Sequence, residues 1–172
     1  AGSIEGIKET CPPKMFKGLP DILYMSNGDG TFRDASASAG LKPDGKGLAA
    51  LSADLDLDGD QDVYVCNDTT DNFLFLNDGH GKFEEDAALR GCANDSKGLP
   101  NGSMGIDIAD FNHDGLPDIW VANYERDNFA MYANDGGGFF RHVSDPLGIS
   151  AIGSVFVGFG TMFVDLDRDG FE

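Results

Sequence analysis

The chain has 172 residues, with 12 basic and 30 acidic side chains, so its formal net charge is −18. This negative field repels nucleic-acid phosphates and anionic membranes, which argues against both as partners, and it attracts cations. Aromatic residues make up 10% of the chain and hydrophobic residues 41%, too many for a disordered acidic tail. The apolar runs are short and broken by Gly and Asp, so no segment is expected to span a membrane.

The first 46 residues divide into a lead-in segment, residues 1–20, and a partial repeat, residues 21–46. The lead-in has no basic start followed by an apolar run, so it is not expected to be a signal peptide. In the partial repeat, DILYMS leads through the glycine turn NGDGTF to an aromatic residue. Two short apolar runs around a glycine turn predict a pair of antiparallel strands.

A complete unit, residues 47–102, follows the partial repeat. Short runs rich in Val, Ile, Phe and Tyr, bounded by Gly, Asn and Asp, predict four strands in it. These lie near residues 48–53, 62–66, 73–76 and 82–87. Because no helical periodicity appears, almost no helix is expected, apart from one turn in DAALRG at 86–91. Alternation along the strands predicts packed faces at Val63, Val65, Phe73 and Phe75.

A second complete unit, residues 103–154, repeats this order of strand, loop, strand and glycine turn. Its strands are predicted near residues 104–109, 118–122, 129–133 and 138–143. The matching packed positions are expected at Ile119, Val121, Phe129 and Met131. Residues 155–172 supply a first strand and most of a third loop, and the chain stops one residue before that loop's expected last acid. We therefore expect a fragment of a larger repeat protein.

Four antiparallel strands in each repeat are typical of propeller blades, which bury their faces by stacking on their neighbours. The predicted fold class is all-β, a β-propeller fragment of four-stranded antiparallel blades, with two full blades and two half-blades. A β-sandwich with accidental self-similarity is the alternative. Because exposed strand edges recruit other strands, the half-blades are expected to pair with each other or with another molecule.

Three acidic loops start 56 and 55 residues apart and read DLDLDGDQD, DFNHDGLPD and DLDRDGFE. Spacing of the type D-x-[DN]-x-[DN]-G brings oxygens at positions 1, 3 and 5 together, with a glycine turn at position 6 and a backbone carbonyl at position 7. An acid at position 9 completes the set. The predicted ligands are Asp54, Asp56, Asp58, Asp60 (carbonyl) and Asp62; Asp110, Asn112, Asp114, Leu116 (carbonyl) and Asp118; and Asp165, Asp167, Asp169 and Phe171 (carbonyl).

Calcium is the metal that these loops favour, because the ligands are numerous oxygens on a flexible loop, whereas magnesium retains more water. Transition metals are disfavoured since no His or Cys stands at a ligand position. His113 occupies position 4 and is expected to be a solvated spacer. The loops are not EF-hands, because strands flank them and no Glu stands at position 12. Plain hairpin turns are the alternative, but turns do not require clustered carboxylates.

The three cysteines show no CxxC spacing, so a zinc or redox motif is not expected. Cys66 lies in VYVCN and is expected to point into a core. Cys11 and Cys92 lie in irregular stretches and could form a disulfide, although the sequence does not fix that connectivity.

These motifs resemble the FG-GAP and VCBS repeat family, the calcium-binding blades of integrin α-chain propellers and of many secreted bacterial proteins. The residues that carry the resemblance are DLDLDGDQDVYV, DFNHDGLPDIWV and FVDLDRDG, with GFG at 158–160. Residues 11–41 are similar to the lead-in and first turn of ASPIC/UnbV-type repeat proteins. The resemblance implies an extracellular or cell-surface propeller used for binding or adhesion.

The sequence therefore favours a non-enzymatic, calcium-binding extracellular module whose partner is a protein or a polysaccharide. A place within a secreted enzyme, such as a polysaccharide hydrolase or lyase, is the alternative hypothesis, since paired carboxylates can hydrolyse glycosides. Against it, the chain has no G-x-S-x-G and no HExxH motif, and its clustered carboxylates are already assigned to metal.

Overall fold

A computed structural model describes the backbone of residues 3–4 and 7–8, and residues 11–125, 127–153 and 155–170. Two small antiparallel hairpins lie at the amino-terminal end. The first pairs β1 (Ser3–Ile4) with β2 (Ile7–Lys8), and the second pairs β3 (Tyr24–Ser26) with β4 (Phe32–Asp34). A 3-10 turn at Pro13–Met15 lies between them. The β3–β4 hairpin confirms the strand pair predicted for the partial repeat.

Two four-stranded antiparallel sheets form the body of the described chain. The first contains, in spatial and chain order, β5 (Gly47–Ala53), β6 (Asp62–Asn67), β7 (Phe73–Asn77) and β8 (Phe83–Glu85). The second contains β9 (Ser103–Ala109), β10 (Asp118–Asn123), β11 (Ala130–Asn134) and β12 (Phe140–His142). All eight predicted strands of the complete units are confirmed, and each sheet is a simple meander because its connections are short.

Within the described residues, α-helix is confined to three single turns of four residues, each following the last strand of a unit. These are α1 (Ser36–Ala39), α2 (Ala87–Arg90) and α3 (Ser150–Gly153). The turn predicted at 86–91 is confirmed, whereas the other two were not predicted. None of the helices in the described part of the chain has the length and apolar character that crossing a bilayer requires.

The strand predicted at the start of the third unit does not form within residues 155–170. That segment instead makes isolated contacts with the second sheet. The Gly158 N–H donates to the carbonyl of Asn123 at the end of β10 at 3.1 Å, and the Phe163 N–H donates to an Asp107 carboxylate oxygen of β9 at 2.5 Å. In the two complete units the first strand takes its hydrogen-bond ladder from the strand after the loop. No described residue supplies that second strand to the third unit.

The two complete sheets stack face to face, and their alternating side chains build the core between them. Tyr64, Cys66 and Leu74 of the first sheet pack against Ile119 and Tyr132 of the second. The opposite face of the first sheet packs Val65, Phe73 and Phe75 around Leu41, which belongs to the partial repeat. Each sheet thus buries both faces against neighbouring units, as propeller blades do.

The predicted packed positions are confirmed as a set, with one error of register. Six of the eight are buried, and Val63 and Phe129 are half-buried. However, Met131 pairs with Trp120 and packs on the opposite face from Ile119, while Ala130 and Tyr132 occupy the places of Phe73 and Phe75. The segment DNFAMYAND has one more residue than DNFLFLND, and a shift of one residue moves every side chain to the other face of a strand.

The segment after each fourth strand ends in an apolar residue that fills the next inter-sheet core. Leu41, Cys92 and Ile149 occupy this place in successive units, each directly after a glycine. The recurrent Gly-apolar pair is therefore a sequence signal for this core position, which was not predicted. Because Cys92 fills a core and all three thiols are free, the Cys11–Cys92 disulfide is absent, while the predicted core position of Cys66 is confirmed.

Candidate metal sites

The three acidic loops share left-handed backbone conformations at positions 4 and 6. The first two loops begin directly after β5 and β9, and the position-6 glycines of all three, Gly59, Gly115 and Gly170, have φ angles of 99°, 87° and 91°. The position-4 residues are also left-handed, with φ angles of 63°, 59° and 63° at Leu57, His113 and Arg168. That conformation costs an L-residue about 1–2 kcal/mol. Three unrelated side chains share it, so the sequence at position 4 carried no signal of it.

In the first loop, Asp54, Asp56 and Asp58 each offer a carboxylate oxygen, and these oxygens lie within 4.8 Å of one another. Asp54 accepts the N–H of Gly59 through Oδ2 at 3.1 Å, while its Oδ1 is buried without a hydrogen-bond partner in the described structure. Burial raises the pKa of Asp56, and the neighbouring carboxylate of Asp58 raises it further. The first loop therefore gathers negative charge around an oxygen that needs a partner.

The position-9 acids close the loops from inside the sheets. Asp62 is fully buried; its Oδ2 accepts the N–H of Leu55 and its Oδ1 accepts the N–H of Asn77, both at 2.9 Å. It lies outside the carboxylate cluster of its loop. Its first role is thus to hold the backbone of the loop against β7, a role the sequence analysis did not assign. Its role as a metal ligand remains a prediction.

Asp118 makes the same pair of contacts in the second sheet. Its Oδ2 accepts the N–H of Phe111 at 3.1 Å and its Oδ1 accepts the N–H of Asn134 at 2.8 Å. Burial raises the pKa of Asp118 to about 6, against the lowering effect of these two hydrogen bonds. Two sheets therefore use a buried position-9 carboxylate in the same way.

Replacing Asp62 by Asn is expected to destabilise the fold by about 1–3 kcal/mol, because one amide oxygen cannot accept both buried N–H groups in the same geometry. Urea unfolding at fixed calcium concentration measures the change. Asp60→Asn in the same loop is the control: Asp60 is only partly buried and its carboxylate makes no such clamp. An equal loss of stability for both variants would contradict the clamp.

The second loop carries one fewer acid at positions 1, 3 and 5, where Asn112 stands, and it is held by its own hydrogen bonds. Asp110 accepts the N–H groups of Asp114 and Gly115 at 3.0 and 2.8 Å. The Asn112 side chain accepts the N–H of Asp114 at 3.0 Å and donates to Asp114 Oδ2 at 2.9 Å. These hydrogen bonds bring oxygens of Asp110 and Asn112 to the same backbone N–H, beside the carboxylate of Asp114. His113 is exposed, as expected for a position-4 residue.

The third loop repeats the cluster at the carboxyl-terminal end. Oxygens of Asp165, Asp167 and Asp169 lie within 4.8 Å of one another. Asp165 accepts the N–H groups of Arg168 and Gly170 at 2.6 and 2.9 Å. Phe171, the predicted carbonyl ligand, lies outside the described residues. The carbonyl roles of Asp60 and Leu116 likewise remain predictions.

All three loops fit a hard divalent cation. The converging atoms are carboxylate and amide oxygens, which calcium prefers and which softer metals do not select. The buried, unpartnered Oδ1 of Asp54 supplies the most specific sign, because a buried charged oxygen normally has a partner.

Stacked four-stranded antiparallel sheets, each with an acidic loop between its first two strands, define a repeat protein of the β-propeller type. A family model described as FG-GAP-like repeat matches residues 54–121 and again residues 110–172. The chain belongs to the FG-GAP-like repeat family, which confirms the resemblance seen in its motifs.

Among curated proteins, the chain is similar to cartilage acidic protein 1 from Mus musculus and from Homo sapiens. Each is 27% identical over 137 residues, which cover 78% of this chain. The chain spans about a fifth of the length of these relatives, 21% and 20% respectively. The activities and partners of the whole proteins therefore do not transfer directly to this segment.

Proposed function

We propose that this chain is a calcium-binding module of an extracellular β-propeller, in which the ions hold the loops in place. The observation that carries the proposal is the threefold recurrence of one strained loop conformation, with clustered oxygens at positions 1, 3 and 5. A plain hairpin turn does not require that strain or that cluster of like charges.

The residues that would hold calcium are the three side chains at positions 1, 3 and 5 of each loop, joined by the predicted carbonyl and position-9 ligands. Bound calcium supplies positive charge that offsets the repulsion among these carboxylates. Asp62 and Asp118 fix the loop backbone from the buried side, and the position-6 glycines allow the chain to curl around the site. The same carboxylates are therefore unsuited to acid–base chemistry, and we propose a binding role instead of a catalytic one.

An extracellular location follows from the calcium concentration that such sites need. Extracellular modules hold calcium with dissociation constants of about 10⁻⁴ to 10⁻³ M, which cytosolic calcium would not fill. Since the loops lie at one end of each blade, we propose that the opposite rim meets the partner, an extracellular protein or polysaccharide, as in integrin-like adhesion modules. The net charge of −18 disfavours nucleic acid.

Self-association through the half-blades remains a proposal. Among the described strands, β3 and β4 pair only with each other. Their free edges are available to a second molecule. Light scattering that finds a strict monomer at high protein concentration would contradict this part of the proposal.

Isothermal calorimetry tests the metal assignment by stoichiometry. Asp56→Ala and Asp114→Ala are each expected to remove one calcium from the number bound, because each deletes a central ligand of one loop. Asp29→Ala is the matched control: Asp29 lies in the similar NGDG turn, where its Oδ1 accepts the N–H and hydroxyl of Thr31. Unchanged stoichiometry in both loop variants, or a loss in the Asp29 variant, would contradict the assignment.

A further inference from the structure

The side chain of Asn134 lies between the first and second loops and is 2% exposed. Its Nδ2 donates to the carbonyl of Leu55 in the first loop at 2.8 Å and to the carbonyl of Pro117 in the second loop at 3.0 Å. Its Oδ1 accepts the N–H of Gly136 at 2.9 Å. Both amide hydrogens are used, so one buried side chain ties together loops that belong to different sheets.

At the first loop, this link reaches the backbone between two predicted ligands. Leu55 stands between Asp54 and Asp56 and is fully buried. Its N–H donates to Asp62 of its own sheet, and its carbonyl accepts from Asn134 of the next sheet. The peptide groups on either side of Leu55 are therefore held from two directions, and their position sets where both neighbouring carboxylates point.

At the second loop, the link continues through the buried position-9 acid. The backbone N–H of Asn134 donates to Oδ1 of Asp118, and Oδ2 of Asp118 accepts the N–H of Phe111. Phe111 stands between the predicted ligands Asp110 and Asn112. A continuous run of hydrogen bonds thus joins the position-2 peptide of one loop to the position-2 peptide of the next.

A second contact between the two units brings the turn after β11 against Asp56, a predicted ligand of the first loop. A methyl group added at Gly138, in the turn after β11, would lie 2.9 Å from Cβ of Asp56. The same turn is fixed by Arg90 of the first unit, whose guanidinium donates to the Gly137 carbonyl and lies 4.4 Å from the centre of the Phe139 ring. The second unit therefore packs against the first loop at Cβ of Asp56 as well as at Leu55.

We propose that Asn134 is a positioning residue that couples cation binding in the first loop to cation binding in the second. This inference rests on the proposed calcium-binding function. Without a cation, the repelling carboxylates leave a loop less ordered. A cation bound in one loop fixes Leu55, Asn134 and Asp118. The entropic cost of ordering the other loop on cation binding is then smaller. By linkage the coupling is reciprocal.

Asn77 provides an internal control because it occupies the same place in the first sheet. Its Nδ2 donates to the Gln61 carbonyl at 3.1 Å, its N–H donates to Asp62, and its Oδ1 accepts the N–H of Gly79 at 3.2 Å. Within its own unit, Asn77 makes the same contacts as Asn134. Among the described residues, however, Asn77 has no counterpart of the hydrogen bond that Asn134 makes to the metal loop of the preceding unit.

The glycine amides give a separate signal for each loop. Gly59, Gly115 and Gly170 donate to the first aspartate of their loops at 3.1, 2.8 and 2.9 Å, so calcium binding should shift each amide resonance. Calcium is titrated into isotope-labelled chain and followed by NMR. Asp56→Ala is expected to raise the calcium midpoint at Gly115 by about three- to tenfold, as a coupling of this kind gives. The midpoint at Gly170 is expected to stay unchanged.

When the chain already carries Asn134→Ala, adding Asp56→Ala is expected to leave the calcium midpoint at Gly115 unchanged. When the chain carries Asn77→Ala instead, Asp56→Ala is expected to raise that midpoint as it does in the unaltered chain. Comparing the single and double variants removes the long-range effect of the lost charge, which is common to both backgrounds. A shift that survives Asn134→Ala would overturn the role of Asn134.

An unchanged Gly115 midpoint in Asp56→Ala alone would overturn the coupling, and that measurement does not depend on how Asn134→Ala folds. If none of the three glycine signals responds to calcium in the unaltered chain, the proposed function fails and this inference fails with it. Calcium responses at all three glycines with independent midpoints leave the proposed function standing and overturn only the coupling.

Discussion

Removing calcium with a chelator is expected to lower the free energy of unfolding by about 4 kcal/mol. At a tenfold excess of calcium over its dissociation constant, each site adds about 1.4 kcal/mol by mass action, and the chain has three loops. Twelve of the 30 acidic residues lie in these loops, so the calcium-free protein also keeps the repulsion among their carboxylates. For a chain of this size, 4 kcal/mol corresponds to a drop in melting temperature of roughly 10 °C.

Thermal melts with and without chelator measure this effect. Sodium chloride at about 1 M, added to the chelated protein, is the control, because it screens long-range repulsion without supplying a divalent ion. Salt is expected to recover only a small part of the loss. An unchanged melting temperature on chelation would show that the loops are turns and that the calcium assignment is wrong.

Leu55→Ala is expected to destabilise the protein by about 2–5 kcal/mol, the range for truncating a fully buried leucine. Leu55 is fully buried in the core shared by the two complete sheets, although it lies inside an acidic loop. Its side chain acts as the contact between the first loop and the next unit. Urea unfolding at saturating calcium measures the loss without the contribution of an emptied site.

Leu166→Ala is the matched control for Leu55→Ala. Leu166 holds the same position in the third loop but is 87% exposed, so its truncation is expected to change stability by less than about 0.5 kcal/mol. Equal effects at the two leucines would contradict the idea that position 2 of each loop packs into the core with the following unit.

The burial of Cys66 and Cys92 also depends on the contact between neighbouring units. Burial raises the pKa of the Cys66 thiol to about 12, because the side chain lies in the core between the two sheets. The sequence predicted that position from the apolar run around it. It did not predict that Cys92, in an irregular stretch, enters the same core, because that depends on where the end of one unit meets the next.

The sequence by itself determined the eight strands of the complete units, the glycine turns and the acidic loops of this protein. Alternating apolar residues, glycine turns and the D-x-[DN]-x-[DN]-G spacing are local patterns, and each acts within a few residues of the chain. This is why the eight strands of the complete units, the helical turn at 86–91 and the recurrent loop could be read directly.

Only the tertiary structure decided which neighbouring strand or unit each of these side chains contacts. One extra residue before β11 places Met131 on the face of the second sheet opposite Ile119. The pairing of β11 with β10 is what reveals this change of register. Asp62 became a backbone clamp because β7 brings the N–H of Asn77 to it, and Asn134 became a link because the second sheet stacks on the first loop. Leu55 and Leu166 stand at the same place in the same motif, yet one is buried and the other is exposed. The physical reason is common to all four: a neighbouring strand or unit supplies the contact, and sequence periodicity does not record which neighbour is present.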